Sequence, residues 1–295
     1  MLGVVNLDKP VGPTSHDMVG LLRRLTGTRR IGHAGTLDPL ASGVLPILVG
    51  AATRFSEELT GGRKRYDAVV RLGASSATDD AQGPLTLSSV DVPPEDAIRD
   101  ALGRFVGTYD QRPPDFSARK QGGTAAHRAA RAGSPIELSP RRVTVHAIEL
   151  ISTEPANGQL DVRIDVTCGA GTYIRAIARD LGEALGCGGH LRSLRRTEAA
   201  GLRAADAIGP EQLETLAAEG RLAEVVQPIG DLLPLPAITL EADAAWRFLH
   251  GSSQPMGALP DGRVVVYRGG VLLGIGRIGG GVLQPEKVVA GEVGE

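Results

Sequence analysis

Aromatic side chains are scarce in this sequence, because Phe, Trp and Tyr make up only 3% of its 295 residues. A tyrosine inside a motif is therefore a candidate for a specific task. Long apolar runs are also missing: the longest, around VLPILVGAA, is broken by proline and glycine, whereas a membrane-spanning helix needs about 20 apolar residues. The opening residues, MLGVVNLDKP, already carry an acid and a base, which is unlike a secretory signal.

Cysteines and ligand or cofactor motifs are equally sparse. Only Cys168 and Cys187 are present, which indicates free thiols in a reducing compartment, and we expect a cytoplasmic protein. Cys187 and His190 have ligand-like spacing, but a zinc site needs more ligands than one further cysteine supplies. The stretch GIGRIG fits a dinucleotide-binding pattern, yet no helix is predicted after it. We therefore expect neither a metal nor a cofactor.

The charges are distributed unevenly along the chain, although the net charge is only −2. Residues 1–76 hold 10 basic and 6 acidic side chains, and residues 110–205 hold 14 and 10. The acidic side chains are in excess in residues 77–109 and 206–295. A solvated surface is the simpler interpretation of any single basic pair. Two blocks with a positive excess nevertheless favour a polyanion as partner.

The secondary-structure pattern predicts an α+β fold. Short apolar strands such as GVVNL, VLPILV and KRYDAVVRLG are interleaved with helices, and Ser15 is predicted to cap the first helix. Apolar and polar side chains alternate over residues 160–168, which is typical of an antiparallel strand with one solvated face. Thr172 is predicted to cap the helix that follows. We expect a mixed, largely antiparallel sheet flanked by helices.

Two domains are predicted, the first over residues 1–233 and a small β-rich one over residues 234–295. The second contains short strands within RVVVYRGGVLLGIGRIGGG, and the prolines of IGDLLPLPA indicate the linker before it. Within the first domain, residues 110–142 are predicted to be a long functional excursion, because irregular segments of this length are uncommon in compact domains.

Four polar side chains lie in glycine-rich or irregular stretches: His33, Asp38, Tyr66 and Arg175. Each has a simpler structural interpretation. Asp38 precedes Pro39, a combination that favours a helix N-terminus, while His33 would be a turn residue and Tyr66 a core residue. Arg175 is close to a predicted helix start, where the helix dipole disfavours a cation. It is therefore expected to have a carboxylate partner.

Five stretches of the chain, taken together, resemble one known family. They are NLDKPVGPTS, GHAGTLDPLASGVLPILVGAATRFS, KRYDAVVRLGASSATDDAQG, FSARKQGG and CGAGTYIRAIARDLGEALGCGGHLRSLRR. Their order and content resemble the bacterial tRNA pseudouridine synthase B family, which isomerises uridine 55 in the T loop of tRNAs. The resemblance is strong over roughly residues 1–205. After residue 236 it is only to a small RNA-binding domain of the PUA type.

The resemblance implies a pseudouridine synthase fold and a tRNA T-arm stem-loop as partner, and we expect a monomer. It matches Asp38 to the catalytic aspartate, Tyr66 to the tyrosine that stacks on the target base, and Arg175 to the arginine that pairs with the aspartate. His33 matches the histidine that enters the T loop. It also matches Tyr173 and Leu194 to pocket residues that contact the nucleotide. Lys120, in a basic pair, is a further predicted substrate-binding residue. Attack of the carboxylate at C1′, attack at C6 and removal of the C2′ proton are all open.

Two other classes of function are open on the sequence. A non-catalytic RNA-binding or tRNA-folding module would need the basic blocks but not Asp38. A carboxylate-dependent nucleoside hydrolase would need Asp38 but not the basic excursion. The hydrolase would release free uracil, which separates it from an isomerase by product analysis.

Overall fold

A computed structural model describes residues 1–88, 91, 93–116, 120–121, 124–125, 138–257 and 259–289, with only the backbone for residues 120, 121, 124 and 125. The strands are β1 (Gly3–Lys9), β2 (Ile31–His33), β3 (Ala41–Val49), β4 (Lys64–Leu72), β5 (Ala74–Ser76), β6 (Leu85–Leu87), β7 (Gly107–Gln111), β8 (Lys120–Gln121), β9 (Thr124–Ala125), β10 (Arg141–Ala156), β11 (Gln159–Cys168), β12 (Gly189–Ala199), β13 (Leu202–Arg203), β14 (Val226–Gln227), β15 (Ala237–Thr239), β16 (Gln254–Pro255), β17 (Gly262–Arg268), β18 (Val271–Gly279) and β19 (Val282–Val288). The α-helices are α1 (Ser15–Thr26), α2 (Ser56–Thr60), α3 (Glu95–Gly103), α4 (Ile174–Ala184), α5 (Pro210–Ala218) and α6 (Ala242–Leu249).

A ten-stranded sheet forms the centre of the fold. Its order is β14-β1-β3-β12-β4-β11-β10-β7, with β2 attached to β3 and β13 to β12. Among the described residues, β12 and β3 pair in parallel, and the other pairings of this sheet are antiparallel. The predicted α+β class with a mixed, largely antiparallel sheet is confirmed. The strand β12, from far along the chain, lies between β3 and β4.

The alternation in β11 determines which of its faces is buried. The apolar face is fully buried and consists of Val162, Ile164, Val166 and Cys168. Fully burying an aliphatic side chain contributes roughly 1.5–3 kcal/mol, and these residues join the main hydrophobic core. On the opposite face, Arg163 pairs with Asp67 of β4 at 2.6 Å. The period of two therefore separates the core face of the sheet from its polar face.

Both predicted helix caps are displaced by one residue. Thr14, not Ser15, caps α1, because its hydroxyl accepts from the Asp17 N–H while the Asp17 carboxylate accepts from the Thr14 N–H. This reciprocal capping box needs an acid or amide three residues after the cap, which Ser15 lacks. At α4 the N-cap position is Tyr173. The Thr172 hydroxyl instead donates to a carbonyl in the preceding loop.

A second sheet follows the stretch that was predicted to be a linker. Its order is β15-β17-β18-β19-β16, and it packs against the rest of the chain rather than being separated from it. Ile229, fully buried, shares a hydrophobic cluster with Val265 and Ile275 of this sheet. Glu58 of α2 also pairs with Arg263 at 2.8 Å and with Lys287 at 3.0 Å. No helix in the described part of the chain is long and apolar enough to cross a membrane.

Candidate active site

Asp38 lies in the loop between β2 and β3, and this loop forms a turn rather than a helix start. The Ala41 N–H donates to the Asp38 carbonyl at 3.0 Å, which closes the turn around Pro39 just as β3 begins. The predicted helix cap is therefore wrong, because proline favours this turn position as well as the first helical position. The buried Ser15 hydroxyl anchors the loop by donating to the Leu37 carbonyl and accepting from the Leu37 N–H.

Arg196 of β12 holds the same loop from the other side. Its Nη2 donates to the Gly35 carbonyl at 2.9 Å and its Nε donates to the Val44 carbonyl at 2.7 Å. The side chain is almost completely buried. Gly43 allows the backbones of β3 and β12 to lie close together at Arg196: its φ is +100°, and a Cβ there would lie 2.2 Å from the Arg196 carbonyl oxygen. One guanidinium thus ties the backbone before Asp38 to the backbone after it.

Arg175, in the first turn of α4, faces Asp38. Its Nη2 lies 2.9 Å from Asp38 Oδ2, and its Nη1 lies 3.7 Å from Asp80 Oδ2. The Asp38 side chain is 40% exposed, whereas those of Arg175 and Asp80 are 5% and 6% exposed. The guanidinium also donates to the carbonyls of Thr78 and Phe116. The structure therefore brings Arg175 to the expected carboxylate and adds a second one.

Asp80, the second carboxylate, was not identified from the sequence. Its Oδ1 accepts hydrogen bonds from the Thr78 hydroxyl at 2.6 Å and from the Gln82 N–H at 3.0 Å. A buried carboxylate needs such partners to offset its lost hydration. Asp80 is therefore placed to fix the Arg175 side chain from behind, while Asp38 remains accessible. In the sequence, Asp80 belongs to a polar stretch that predicts only a surface loop.

Five of the predicted residues line one cleft of about 370 Å³, namely Asp38, Tyr66, Tyr173, Arg175 and Leu194. Tyr66 lies on β4, paired with Arg196 of β12 and Val166 of β11. Burial raises the pKa of the Tyr66 phenol, so the hydroxyl is protonated at neutral pH. The cleft is thus formed where the central strands of the large sheet meet the Asp38 loop and the start of α4.

The backbone of Tyr173 is fixed by one buried amide. The Tyr173 N–H donates to Gln111 Oε1 at 2.9 Å, and Gln111 Nε2 donates to the Tyr173 carbonyl at 3.1 Å. Gln111 is 1% exposed at the end of β7. Helix starts leave backbone N–H groups without partners, and here a side chain from the sheet supplies one. A lone glutamine in an irregular stretch carries no sequence signal for this task.

His33 and Lys120 are not brought into the lining of the cleft. His33 ends β2, half-buried, and its Nδ1 is buried without a hydrogen-bond partner among the described residues. Burial, together with the charge of Arg196, lowers the pKa of its imidazole, so the ring is neutral at pH 7. Only the backbone of Lys120 is described, paired with Ala125. The prediction for its side chain, like much of the 110–142 excursion, lies outside the described residues.

Cations outnumber carboxylates around the cleft. Those that line it in the described part of the chain are Lys64, Arg141, Arg175 and Arg196. Lys64 donates to the carbonyls of Thr60 and Gly62, and burial lowers its pKa to about 8. Lys9, buried near Asp38, also has a pKa lowered to about 8, because burial outweighs the opposing effect of the Asp38 charge. This positive excess suits a phosphate-bearing ligand.

No metal site accompanies these residues in the part of the chain that the structure describes. No group of three His, Cys, Asp or Glu side chains there could hold a metal ion. Both cysteines are buried with free thiols, and burial raises the pKa of Cys168 to about 11. A protonated, enclosed thiol is a poor nucleophile, and neither cysteine is among the described residues that line the cleft.

Three family models match successive parts of the chain. The model of the TruB family pseudouridylate synthase N-terminal domain matches residues 23–174. The chain belongs to the TruB family. The tRNA pseudouridylate synthase B C-terminal domain model matches residues 175–234, and the model of the C-terminal part of pseudouridine synthase II TruB matches residues 236–289. Pseudouridylate synthases are isomerases, so this TruB-family chain is an enzyme of that class.

Relatives within the TruB family match almost the whole chain. The tRNA pseudouridine synthase B of Ralstonia nicotianae is 45% identical over 97% of this chain and 94% of the relative. The protein of the same name from Burkholderia mallei is 43% identical over 97% of this chain and 96% of its own length. Each comparison therefore spans the part of the chain that forms the large sheet and the part that forms the second sheet.

Two solved structures share the fold over the same extent. One is an H/ACA ribonucleoprotein bound to a substrate RNA containing 2′-deoxyuridine, 26% identical with a TM-score of 0.74, covering 99% of this chain and 86% of the other. The second is a Cbf5-Nop10-Gar1 complex, 28% identical with a TM-score of 0.72, covering 97% and 84%. The similarity of fold to these two structures thus extends over almost the whole chain.

Proposed function

We propose that this chain converts uridine 55 in the tRNA T loop to pseudouridine, with Asp38 as the catalytic carboxylate. The observation that carries the proposal is the Asp38–Arg175 pair, 2.9 Å apart, in a cleft that Tyr66 also lines. A tRNA substrate is supported by the names of the relatives. Position 55 is supported by the motif resemblance, whose signature contains Asp38.

The size and lining of the cleft favour a flipped-out nucleotide. At about 370 Å³ it lies near the lower end of the range of roughly 300–1,000 Å³ for ligand sites, which suits one nucleotide rather than a helix. A uridine inside a folded loop must leave its stack to reach such a cleft, at a cost of a few kcal/mol. Stacking on the Tyr66 ring offsets part of this cost. His33 lies outside the cleft, and its proposed role is to contact the rest of the T loop, from which the uridine has been flipped out.

The reaction needs only rearrangement within one nucleotide. The N1–C1′ bond breaks, the C5–C1′ bond forms, C5 loses a proton and N1 gains one, so the atoms balance without a co-reactant. Cleavage builds positive character on the ribose, which a carboxylate stabilises as nucleophile or counter-ion. Arg175 orients that carboxylate through a charge-assisted contact. Asp80 and two carbonyls hold Arg175 in turn.

The proposal is tested with a T-arm stem-loop that carries a 5-tritiated uridine at position 55. We expect tritium release to water and pseudouridine in the digested RNA. A matched stem-loop with tritium at another loop uridine should release none. Equal release from both would contradict the position, and free uracil among the products would indicate a hydrolase instead.

A further inference from the structure

Arg141 differs from the other cations of the cleft in that its donors are not engaged. Lys64 donates to two carbonyls, Arg196 to two carbonyls, and Arg175 contacts two carboxylates. Arg141 also lines the cleft but is exposed. It makes no ion pair or side-chain hydrogen bond to any residue that the structure describes. An exposed guanidinium at the edge of a cleft has its donors free for a ligand.

The position of the Arg141 side chain is nevertheless defined. The guanidinium lies against the backbone of Gly171, where a Cβ would fall 3.0 Å from Arg141 Cζ and 3.2 Å from its Nε. Gly171 also has φ +82°, a conformation that favours glycine. A larger residue at 171 would therefore displace the guanidinium from the edge of the cleft.

The backbone of Arg141 is also tied to the active site. Arg141 begins β10 and pairs with Gln111 of β7, and the Gln111 side chain holds both the N–H and the carbonyl of Tyr173. Arg175 follows two residues later. The backbone of Arg141 and the start of α4 are thus connected through Gln111.

We propose that Arg141 binds a phosphate that flanks the target uridine, an inference that rests on the proposed function. A nucleotide whose base enters the cleft carries its two phosphates to the edge of that cleft. A guanidinium presents planar, paired donors that match phosphate oxygens. The contact fixes the register of the RNA without reading its sequence. It therefore does not depend on which base lies next to the target uridine.

Arg141→Gln is compared with Arg163→Gln, which removes the same charge from the opposite, polar face of the sheet, where Arg163 pairs with Asp67. Binding of a labelled T-arm stem-loop is measured by anisotropy across a range of salt concentrations. Loss of a charge-assisted contact predicts about tenfold weaker binding for Arg141→Gln. Its salt dependence should be shallower by about 0.7 in log–log slope. Arg163→Gln should retain both the affinity and the slope of the wild type.

Arg141→Lys separates charge from geometry, because lysine keeps the charge without the fork. We expect it to restore the salt slope but only part of the affinity. A merely structural role for Arg141 would instead lower thermal stability and leave the slope unchanged. That result would overturn the proposal.

Methylphosphonate linkages identify the phosphate itself. Each of the two linkages that flank uridine 55 is replaced in turn by an uncharged one. At one of these linkages, the substitution should weaken binding to the wild type about tenfold. The same linkage should weaken binding to Arg141→Gln very little, because that variant already lacks the contact. Equal additional losses in both proteins at both linkages would contradict the assignment. Because the readout is binding, it is independent of whether pseudouridine forms, which is measured separately with the wild type.

Discussion

Replacing Arg196 by glutamine tests how the loop that carries the proposed catalytic aspartate is held. The buried Arg196 guanidinium donates to the carbonyls of Gly35 and Val44, on either side of that aspartate. Its neighbour Arg195 faces the other side of β12, where it pairs with Asp8 at 2.8 Å and is 41% exposed. Two adjacent arginines therefore allow the same substitution with two different expected outcomes.

The expected loss of stability in Arg196→Gln follows from the two hydrogen bonds that the guanidinium donates. Hydrogen bonds from charged donors contribute about 1.5–3 kcal/mol each, so their loss costs about 3–6 kcal/mol before any recovery by the glutamine amide. We expect Arg196→Gln to lower the free energy of unfolding by about 3 kcal/mol or more. For Arg195→Gln we expect at most about 1 kcal/mol, the contribution of an exposed ion pair. A loop that shifts Asp38 by about 1 Å lowers turnover about 100-fold.

Urea unfolding gives the stability of both variants, and tritium release at saturating stem-loop gives their turnover at a temperature where both are folded. Arg195→Gln should match the wild type in turnover. Equal losses in the two variants, or a destabilised Arg196→Gln that turns over at the wild-type rate, would refute the assignment of Arg196 to positioning the loop.

Two further substitutions test the groups around the aspartate. Arg175→Lys keeps the charge but cannot reach two carboxylates and two carbonyls together, so turnover should fall by about 10- to 100-fold with RNA affinity close to that of the wild type. Equal losses of rate and affinity would mean that Arg175 contacts the RNA instead. For Lys64 the pKa is about 8 in the folded protein, below the usual 10.5. Between these values the unfolded chain binds the additional proton, so stability rises with pH from about 8 to 10.5. Lys64→Met should flatten this rise, measured by urea unfolding at pH 7.5 and 10, and an unchanged pH dependence would contradict the lowered pKa.

The sequence predicts the elements of this fold better than their arrangement. Alternation over residues 160–168 identifies β11 and its buried face, because a period of two is a local property. The insertion of β12 between β3 and β4 is not local, and no pattern within β12 indicates its parallel pairing with β3. The caps fail by one residue at Thr14 and Tyr173, since the choice depends on which neighbouring side chain completes the hydrogen bonds.

The residues of the candidate site also differ in how well the sequence predicts them. Among the residues predicted at the cleft, Arg175 has a local signal, its unfavourable position at a helix start. The family resemblance identified the others: Asp38, Tyr66, Tyr173 and Leu194. The residues that hold them in place, Asp80, Gln111 and Arg196, were missed. Each acts through contacts with a distant part of the chain. In the sequence, Arg196 is indistinguishable from its exposed neighbour Arg195. Only the alternation of side chains along β12 places the two on opposite faces of the sheet.

Asp38→Asn tests the proposed role of Asp38 as the catalytic carboxylate. Asparagine keeps the size and polarity of the side chain but removes the charge that faces Arg175 at 2.9 Å. The two measurements are the affinity for the T-arm stem-loop and tritium release from 5-tritiated uridine 55. We expect affinity close to that of the wild type and no detectable tritium release. Tritium release at the wild-type rate would contradict the catalytic role of Asp38.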